Sequence, residues 1–240
     1  SHPQALLVTG AFTNRYYAAG LQPRTAVGNP YGDGYYDDFN TAVGLDSAGR
    51  TQLHHKGKLV IGVENTPTVI FVLMQFLVID LGGVVGQIGM GQHGTAFAHA
   101  GMRMGPAICY EGLYGDFYGD FVRRGAQFMA IISNDGWWGD TPGYKHLFTI
   151  SRLRAIEHRR AIARSANTGM SGFISARGDI GETLGWKKRG VISAAVPLNS
   201  ELTFYTRYGD YLGRISEYLT LLCVLYYIAY RVKRKNYLVK

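Results

Sequence analysis

Pro106-Ala107-Ile108-Cys109-Tyr110-Glu111-Gly112-Leu113-Tyr114-Gly115-Asp116-Phe117 is the stretch that decides the fold of this chain. A short apolar strand stops on a cysteine and passes at once into a helix-like segment. Such a turn holds the side chain at the edge of a sheet, where a substrate can reach it. The Gly-rich, aromatic run that follows suits a tight turn packed beneath that point. Thiol chemistry also needs a base to make thiolate and a donor to hold the negative oxygen formed on attack. Upstream, His55-Lys56-Gly57-Lys58-Leu59-Val60-Ile61-Gly62-Val63-Glu64 offers an ammonium and a carboxylate suited to those roles. A cysteine at a strand end is also a common small core residue, so the surrounding residues must decide.

The 240 residues are enough for one sizeable α/β domain, and 32 Gly with 17 Tyr suit a turn-rich, aromatic-packed sheet protein. The formal net charge of +8 raises nucleic acid as a partner. The basic residues, however, gather between Arg152 and Arg164 and in the tail Arg231-Val232-Lys233-Arg234-Lys235, just after an apolar stretch. With no RNA-binding signature and no zinc spacing, a membrane surface explains that arrangement better than nucleic acid does. Cys109 and Cys223 are too few and too differently placed for a disulfide framework. Cys223 reads as inert filler in the C-terminal apolar run. No signal peptide opens the chain and no Met begins it, so it reads as a piece of something longer.

Along the chain, residues 5–13 predict a buried strand and residues 14–37 a polar, Gly- and Tyr-rich loop. Phe39 to Leu45 and Arg50 to His55 flank the turn Asp46-Ser47-Ala48-Gly49 and predict a hairpin, with Lys56 just past its second strand. Val69 to Leu81 is apolar but too short to span a bilayer as a helix. It reads as a buried helix or as an apolar flap resting on lipid, and the Gly-rich run after it favours the flap. An amphipathic helix is expected from the cysteine turn to about Arg124, with Gly125 closing it. Gln127 to Ser133 predicts a buried parallel strand ending in the polar, aromatic loop Asn134-Asp135-Gly136-Trp137-Trp138-Gly139-Asp140. α/β folds tend to place ligand contacts in such loops.

Pro142 and Thr141 can start the next helix, expected over about His146 to Arg164, its arginines forming a solvated or interdomain face. Met170 to Ser175 and Gly190 to Val196 read as further strands, and Arg177-Gly178-Asp179 as a turn. Ile215 to Tyr230, apolar, rich in tyrosine and closed by the basic cluster, predicts a transmembrane helix with its basic end in the cytoplasm. The domain before it then lies on the other side.

Ile108-Cys109-Tyr110-Glu111, Ser133-Asn134-Asp135-Gly136-Trp137-Trp138-Gly139-Asp140-Thr141, Arg152-Leu153-Arg154-Ala155-Ile156-Glu157 and Arg164-Ser165-Ala166-Asn167-Thr168-Gly169 together resemble the apolipoprotein N-acyltransferases. These form the membrane branch of the nitrilase, or carbon–nitrogen hydrolase, superfamily. The resemblance runs from about Leu6 to the C-terminus. It implies an α/β fold, a nitrilase-like α-β-β-α sandwich followed by a C-terminal transmembrane helix. The corresponding divisions are a catalytic domain over 1–212 lacking its N-terminal part, a transmembrane helix over 213–231 and a basic cytoplasmic tail over 232–240.

By the same resemblance Cys109 matches the nucleophile. Lys56 matches the lysine of a Tyr-x-Lys-x-His-Leu-Val motif, here with a histidine for the aromatic and Lys58 for the histidine. Glu64 matches the glutamate that closes that motif, and Tyr110 and Glu111 the residues the family needs beside the nucleophile. Trp137 and Trp138, with the flap, would meet acyl chains. The family's general-base glutamate lies in a Pro-Glu motif upstream of the first strand. Residues 1–14 do not supply it, so the chain is expected to be the C-terminal part of the enzyme and not fully active alone.

The activity implied is transfer of a fatty acyl chain from a phospholipid, through a Cys109 thioester, to the N-terminal cysteine amine of an apolipoprotein. It implies no metal and no cofactor, and places the enzyme in the bacterial inner membrane with the catalytic domain on the periplasmic side. A soluble nitrilase or amidase acting on a small amide, and a non-catalytic membrane-anchored binding module, stand as alternatives.

Overall fold

A computed structural model describes residues 4–60, 64 and 88–238. The apolar segment Val69 to Leu81 lies outside the described residues.

The first sheet contains β1 (Leu6–Tyr17), β2 (Val27–Gly28), β3 (Tyr35–Asp46) and β4 (Thr51–His55). β3 is central: β1 pairs with it antiparallel from Leu6↔Asp46 to Tyr17↔Tyr35, and β2 and β4 pair with it antiparallel as well. The hairpin between β3 and β4 forms where the sequence predicts it. The Asp46 carboxylate accepts from the backbone N–H groups of Ala48 and Arg50 at 2.9 and 3.0 Å, and Gly49 takes a positive φ of 78° that a side chain would resist.

Two expectations for this sheet need correction. Strand β1 continues to Tyr17, β2 takes Val27 and Gly28, and β3 begins at Tyr35. The expected loop over 14–37 is therefore ladder at both ends and at Val27–Gly28, and stays without strand over 18–26 and 29–34. β1 is also half-solvated rather than buried. Leu6 and Val8 pack toward the second sheet, whereas Leu7 is 59% exposed, the alternation of an antiparallel sheet with one wet face.

The second sheet runs in spatial order β10-β9-β8-β7-β6-β5. Its strands are β5 (Phe97–His99), β6 (Met102–Ile108), β7 (Phe128–Ser133), β8 (Ile162–Ala166), β9 (Ser171–Ile174) and β10 (Ile180–Leu184). β6, β7 and β8 are parallel, with Ile108 level with Ile132 and Ile132 with Ser165. Parallel neighbours need crossovers. These are supplied by α1 (Gly115–Arg123) and α2 (Pro142–His158), joined at their flank by the short α3 (Phe204–Tyr208).

One core lies between the sheets around Ala42, Phe97, Met104 and Ile108. A larger one lies between the second sheet and the helices, around Tyr118, Phe121, Met129, Ile131, Phe148 and Ile162. Among the described residues the layers are therefore sheet, sheet and helix. On the outer face of the first sheet Leu7, Leu45 and Leu53 stand exposed, and the fourth layer of the expected sandwich is not seen there.

Helix α2 starts where the sequence offers a start, capped by the Thr141 hydroxyl with Pro142 in its first turn, and ends at Arg159, whose φ is +51°. The last residues assigned to it by sequence form β8 instead, because Ile162 and Ala163 complete the parallel ladder beside Met129 and Ala130. The expected solvated arginine face holds for Arg152 and Arg159, which are exposed, but not for Arg154, Arg160 and Arg164, which are buried. Arg160 donates to the carbonyls of Ala126, His158, Arg159 and Glu201, and Arg154 to Glu157 at 3.0 Å. Residues 190–196 carry no strand, since Ile180–Leu184 already occupies the position beside β9. Arg177-Gly178-Asp179 is a turn as expected, with Gly178 at φ +86°.

Helix α4 (Tyr211–Leu238) closes the chain. Its Tyr211–Arg231 portion, 21 residues with mean hydropathy 1.3, is long and apolar enough to cross a membrane by length and composition. None of that portion is buried in the protein. Cys223 is exposed on this helix.

Candidate active site

β6 ends at Ile108, and Cys109 opens a short 3-10 turn that runs to Leu113. Cys109 has φ +46°, a left-handed conformation that costs a non-glycine residue of order 1 kcal/mol or more and tends to persist at functional sites. The thiol is half-buried at the border of the inter-sheet core, at the edge of the sheet.

Lys56 lies one residue beyond β4 and is only 1% exposed. Its backbone is fixed on both sides: the N–H donates to the Asn40 carbonyl at 2.8 Å and the carbonyl accepts from Gly91 at 2.9 Å. The ammonium donates to both oxygens of Glu64, at 2.8 and 2.7 Å. Glu64 is held in turn by Asn40 Nδ2 at 3.1 Å and the Val60 N–H at 2.8 Å. An ammonium has three N–H donors, of which Glu64 takes two. Gly57 is needed here, since a Cβ would overlap the Phe117 ring and meet the Gly91 carbonyl at 2.9 Å.

Glu111 connects these two parts. Its carboxylate is fully buried and accepts from the Gly57 N–H at 2.6 Å and the Ile108 N–H at 2.7 Å. One side chain thus ties the residue after Lys56 to the residue before Cys109, which brings the lysine and the thiol to the same end of the sandwich. The third partner is His54 Nε2, 3.2 Å from each carboxylate oxygen. Asn40 does not stand out in the sequence, whereas His54 stands two residues before Lys56, at the aromatic position of the Tyr-x-Lys motif; the register of β3 and β4 places both beside Lys56.

At the end of the neighbouring strand β7, Asn134 caps a second 3-10 turn, Asp135–Trp138, by accepting from the Gly136 N–H. Trp137 and Trp138 are 43% and 42% exposed. Because β6 and β7 are parallel, this turn and the Cys109 turn open on the same edge of the sheet. Buried Asp135 holds the turn from beneath, paired with Arg164 Nη2 at 2.9 Å through both oxygens and bonded to the Ser133 hydroxyl. Tyr110 packs edge-on against Tyr114, centroids 5.6 Å apart, and Lys58 sits over the Tyr114 and Phe117 rings, 5.4 Å from each.

A carbon-nitrogen hydrolase family model matches residues 7–202, from the first strand of the sandwich to the segment before α3. The chain belongs to the carbon-nitrogen hydrolase family. Within it, the chain is 36% identical over 181 residues to an apolipoprotein N-acyltransferase of Chlorobaculum tepidum, covering 73% of this chain and 34% of that protein. It is 35% identical over 190 residues to one of Verminephrobacter eiseniae, covering 76% and 34%. The chain thus spans about a third of the length of these relatives. Among solved structures, an amidase from Nesterenkonia sp. superposes with a TM-score of 0.50 at 16% identity, covering 75% of this chain and 61% of that one. That likeness concerns the fold, the nitrilase-type α/β sandwich predicted from the sequence.

Proposed function

We propose that this carbon-nitrogen hydrolase chain is the catalytic part of an apolipoprotein N-acyltransferase. On this reading the catalytic domain spans 1–212, α4 crosses the bacterial inner membrane over 213–231, and 232–240 is a cytoplasmic tail, with the catalytic domain on the periplasmic side. The observation that carries the reading is the buried Glu111 carboxylate, which holds the Lys56 and Cys109 segments together at one sheet edge. The names of the relatives support the choice of reaction, and the exposed, tyrosine-rich helix α4 supports a membrane setting.

The reaction proceeds in two displacements. The Cys109 thiol gives its proton to a general base, by family resemblance a glutamate elsewhere in the complete protein. Sγ then bonds to an ester carbonyl carbon of a phospholipid. The negative oxygen is held by the remaining Lys56 N–H and by the backbone N–H of Tyr110, in the first turn after the nucleophile. The carbon–oxygen bond breaks, and a lysophospholipid leaves with the proton. In the second displacement the free α-amine of a lipid-bearing N-terminal cysteine attacks the thioester, and the carbon–sulfur bond breaks with Cys109 leaving as thiolate. The general base takes the amine's proton and returns it to the thiolate, leaving an amide. Glu64 orients Lys56, and Trp137 and Trp138 flank the acyl chain.

The test is labelling, in detergent, of the complete protein that contains this chain and its upstream glutamate, with an alkyne-tagged phospholipid. A hydroxylamine-sensitive adduct on Cys109 is expected, and Cys109→Ala should abolish it while leaving detergent partitioning unchanged. Labelling that survives Cys109→Ala overturns the assignment. Turnover of small amides with no lipid adduct would point to an amidase instead.

A further inference from the structure

The Glu111 carboxylate binds His54 although neither displacement uses that ring. The His54 side chain is wholly buried, with Nε2 3.2 Å from both oxygens of Glu111. An ionised carboxylate only accepts, so Nε2 carries the hydrogen. Among the described residues His54 Nδ1 has no partner, so the ring's one polar contact is with Glu111. Phe121 packs against the imidazole edge-on, centroids 4.8 Å apart at 69°, and fixes the ring plane. Each oxygen of Glu111 therefore receives one backbone N–H, from Gly57 or from Ile108, plus a share of the same imidazole N–H. Without that shared donor the carboxylate rests on two N–H groups from separate chain segments and can rotate between them.

We infer that His54 is a positioning residue: its imidazole locks the Glu111 carboxylate and so sets the placement of Lys56 relative to Cys109. The inference rests on the reading of Cys109 as nucleophile and Lys56 as its oxyanion donor. His54 touches no reacting atom. It acts two residues ahead of Lys56 on the same strand end, through a carboxylate two residues beyond Cys109. Sub-ångström drift of such a pair is enough to slow chemistry without weakening substrate binding.

The experiment uses the complete protein that contains this chain, in detergent on a Cys223→Ala background, because Cys223 is exposed and would react as well. Its readouts are the rate of Cys109 carboxamidomethylation by iodoacetamide and the rate of acyl-adduct formation as phospholipid is varied. His54→Phe keeps a ring beside Phe121 but removes the donor; His54→Gln restores an N–H. His54→Phe should lower the maximal acylation rate about tenfold or more while KM stays within about twofold, and His54→Gln should recover most of it. Alkylation of Cys109 should change in the same order. Wild-type rates in folded His54→Phe, or a folded His54→Gln no faster than His54→Phe, overturn the inference. Should His54→Phe fail to fold, His54→Gln alone decides: a loss beyond about tenfold in the folded protein overturns it, and near-wild-type rates uphold it. Persistence of the acyl adduct in Cys109→Ala would instead overturn the nucleophile reading.

Discussion

Glu111 and Asp135 are both fully buried carboxylates in 3-10 turns, one after β6 and the other after the adjacent parallel strand β7. They are satisfied in opposite ways. Asp135 meets the guanidinium of Arg164 with both oxygens, and Ser133 adds a hydroxyl. That pair is complete within the ends of two neighbouring strands and has nothing to pass on. Among the described residues Glu111 meets no arginine or lysine. It is held by backbone N–H groups from two distant segments and by one imidazole, so its negative charge joins the lysine strand to the nucleophile turn. A carboxylate closed by a permanent cation fixes one loop. A carboxylate spread over several weaker donors links several segments.

The largest effect expected from this contrast is on stability at Asp135. Arg164→Met leaves a buried carboxylate without its cation, and breaking a buried pair from one side typically costs about 3–5 kcal/mol. Thermal or denaturant melting of the full chain should show that loss. Cys109 alkylation in the surviving folded fraction should stay close to wild-type, since no Glu111 partner is touched. A large fall in thiol reactivity would mean that the two carboxylates form one unit.

At the Glu111 end the expected loss is in rate. Lys56→Ala should lower acyl-adduct formation on the order of 10²-fold, the effect of removing one oxyanion donor. Its stability cost comes with Glu64, which keeps its Asn40 and Val60 partners and partial access to solvent. An activity change within about threefold would remove Lys56 from the oxyanion site.

These two neighbouring sites also differ in how far the sequence announces them. The Cys109 turn is legible because a short apolar run meets a reactive side chain, then glycine and aromatics, all within neighbouring residues. The β3–β4 hairpin is legible for the same reason, its Asp-Ser-Ala-Gly turn being local chemistry. The buried arginines are not. Arg164 owes its burial to Asp135, 29 residues earlier, and Arg160 to carbonyls as far apart as Ala126 and Glu201. In sequence they form only a basic helical row, whose default is solvent. The ladder beyond Asn14 is hidden because Gly- and Tyr-rich polar segments carry no apolar alternation; its pairing with β3 supplies the order. Lys56 and Glu64 are nearby in sequence, but their link to Cys109 passes through Glu111 and could come only from a family resemblance or from the structure.

A third buried cluster, with the Glu157 carboxylate 4.0 Å from His158 Nε2, tests how burial sets pH behaviour. His158 bonds to Thr206 Oγ1 at 2.8 Å and to the Gly115 carbonyl at 3.1 Å. The carbonyl only accepts, so Nε2 donates to it and Nδ1 accepts from the threonine. Burial, with Arg154 next in weight, pushes the His158 pKa down to about 3. Between that value and the ordinary histidine value of 6.5, the unfolded chain binds a proton that the folded chain refuses. Stability from this site is therefore complete above the unfolded value and falls as pH drops toward the folded one, by at most about 1.4 kcal/mol per pH unit. His158→Asn should flatten that part of the stability curve relative to wild-type. Parallel curves would show that His158 is protonated in the folded state.

The smallest effect belongs to the loop that Asp135 anchors. Thr141 Oγ1 donates to the Trp138 carbonyl at 2.7 Å and accepts from the Gly143 N–H at 3.3 Å, so one hydroxyl both caps α2 and ties down the tryptophan turn. Thr141→Ala should cost about 1 kcal/mol, the usual value of an N-cap, read as a modest drop in melting temperature. The same change frees the Trp138 end of the turn while Asp135 and Arg164 still hold its start, so Trp137 and Trp138 emission should shift and quench more readily with acrylamide. Serine at position 141 keeps the hydroxyl and should restore both readouts. If emission is unchanged while stability falls, the cap belongs to the helix alone and the Asp135–Arg164 pair is sufficient to order the whole turn.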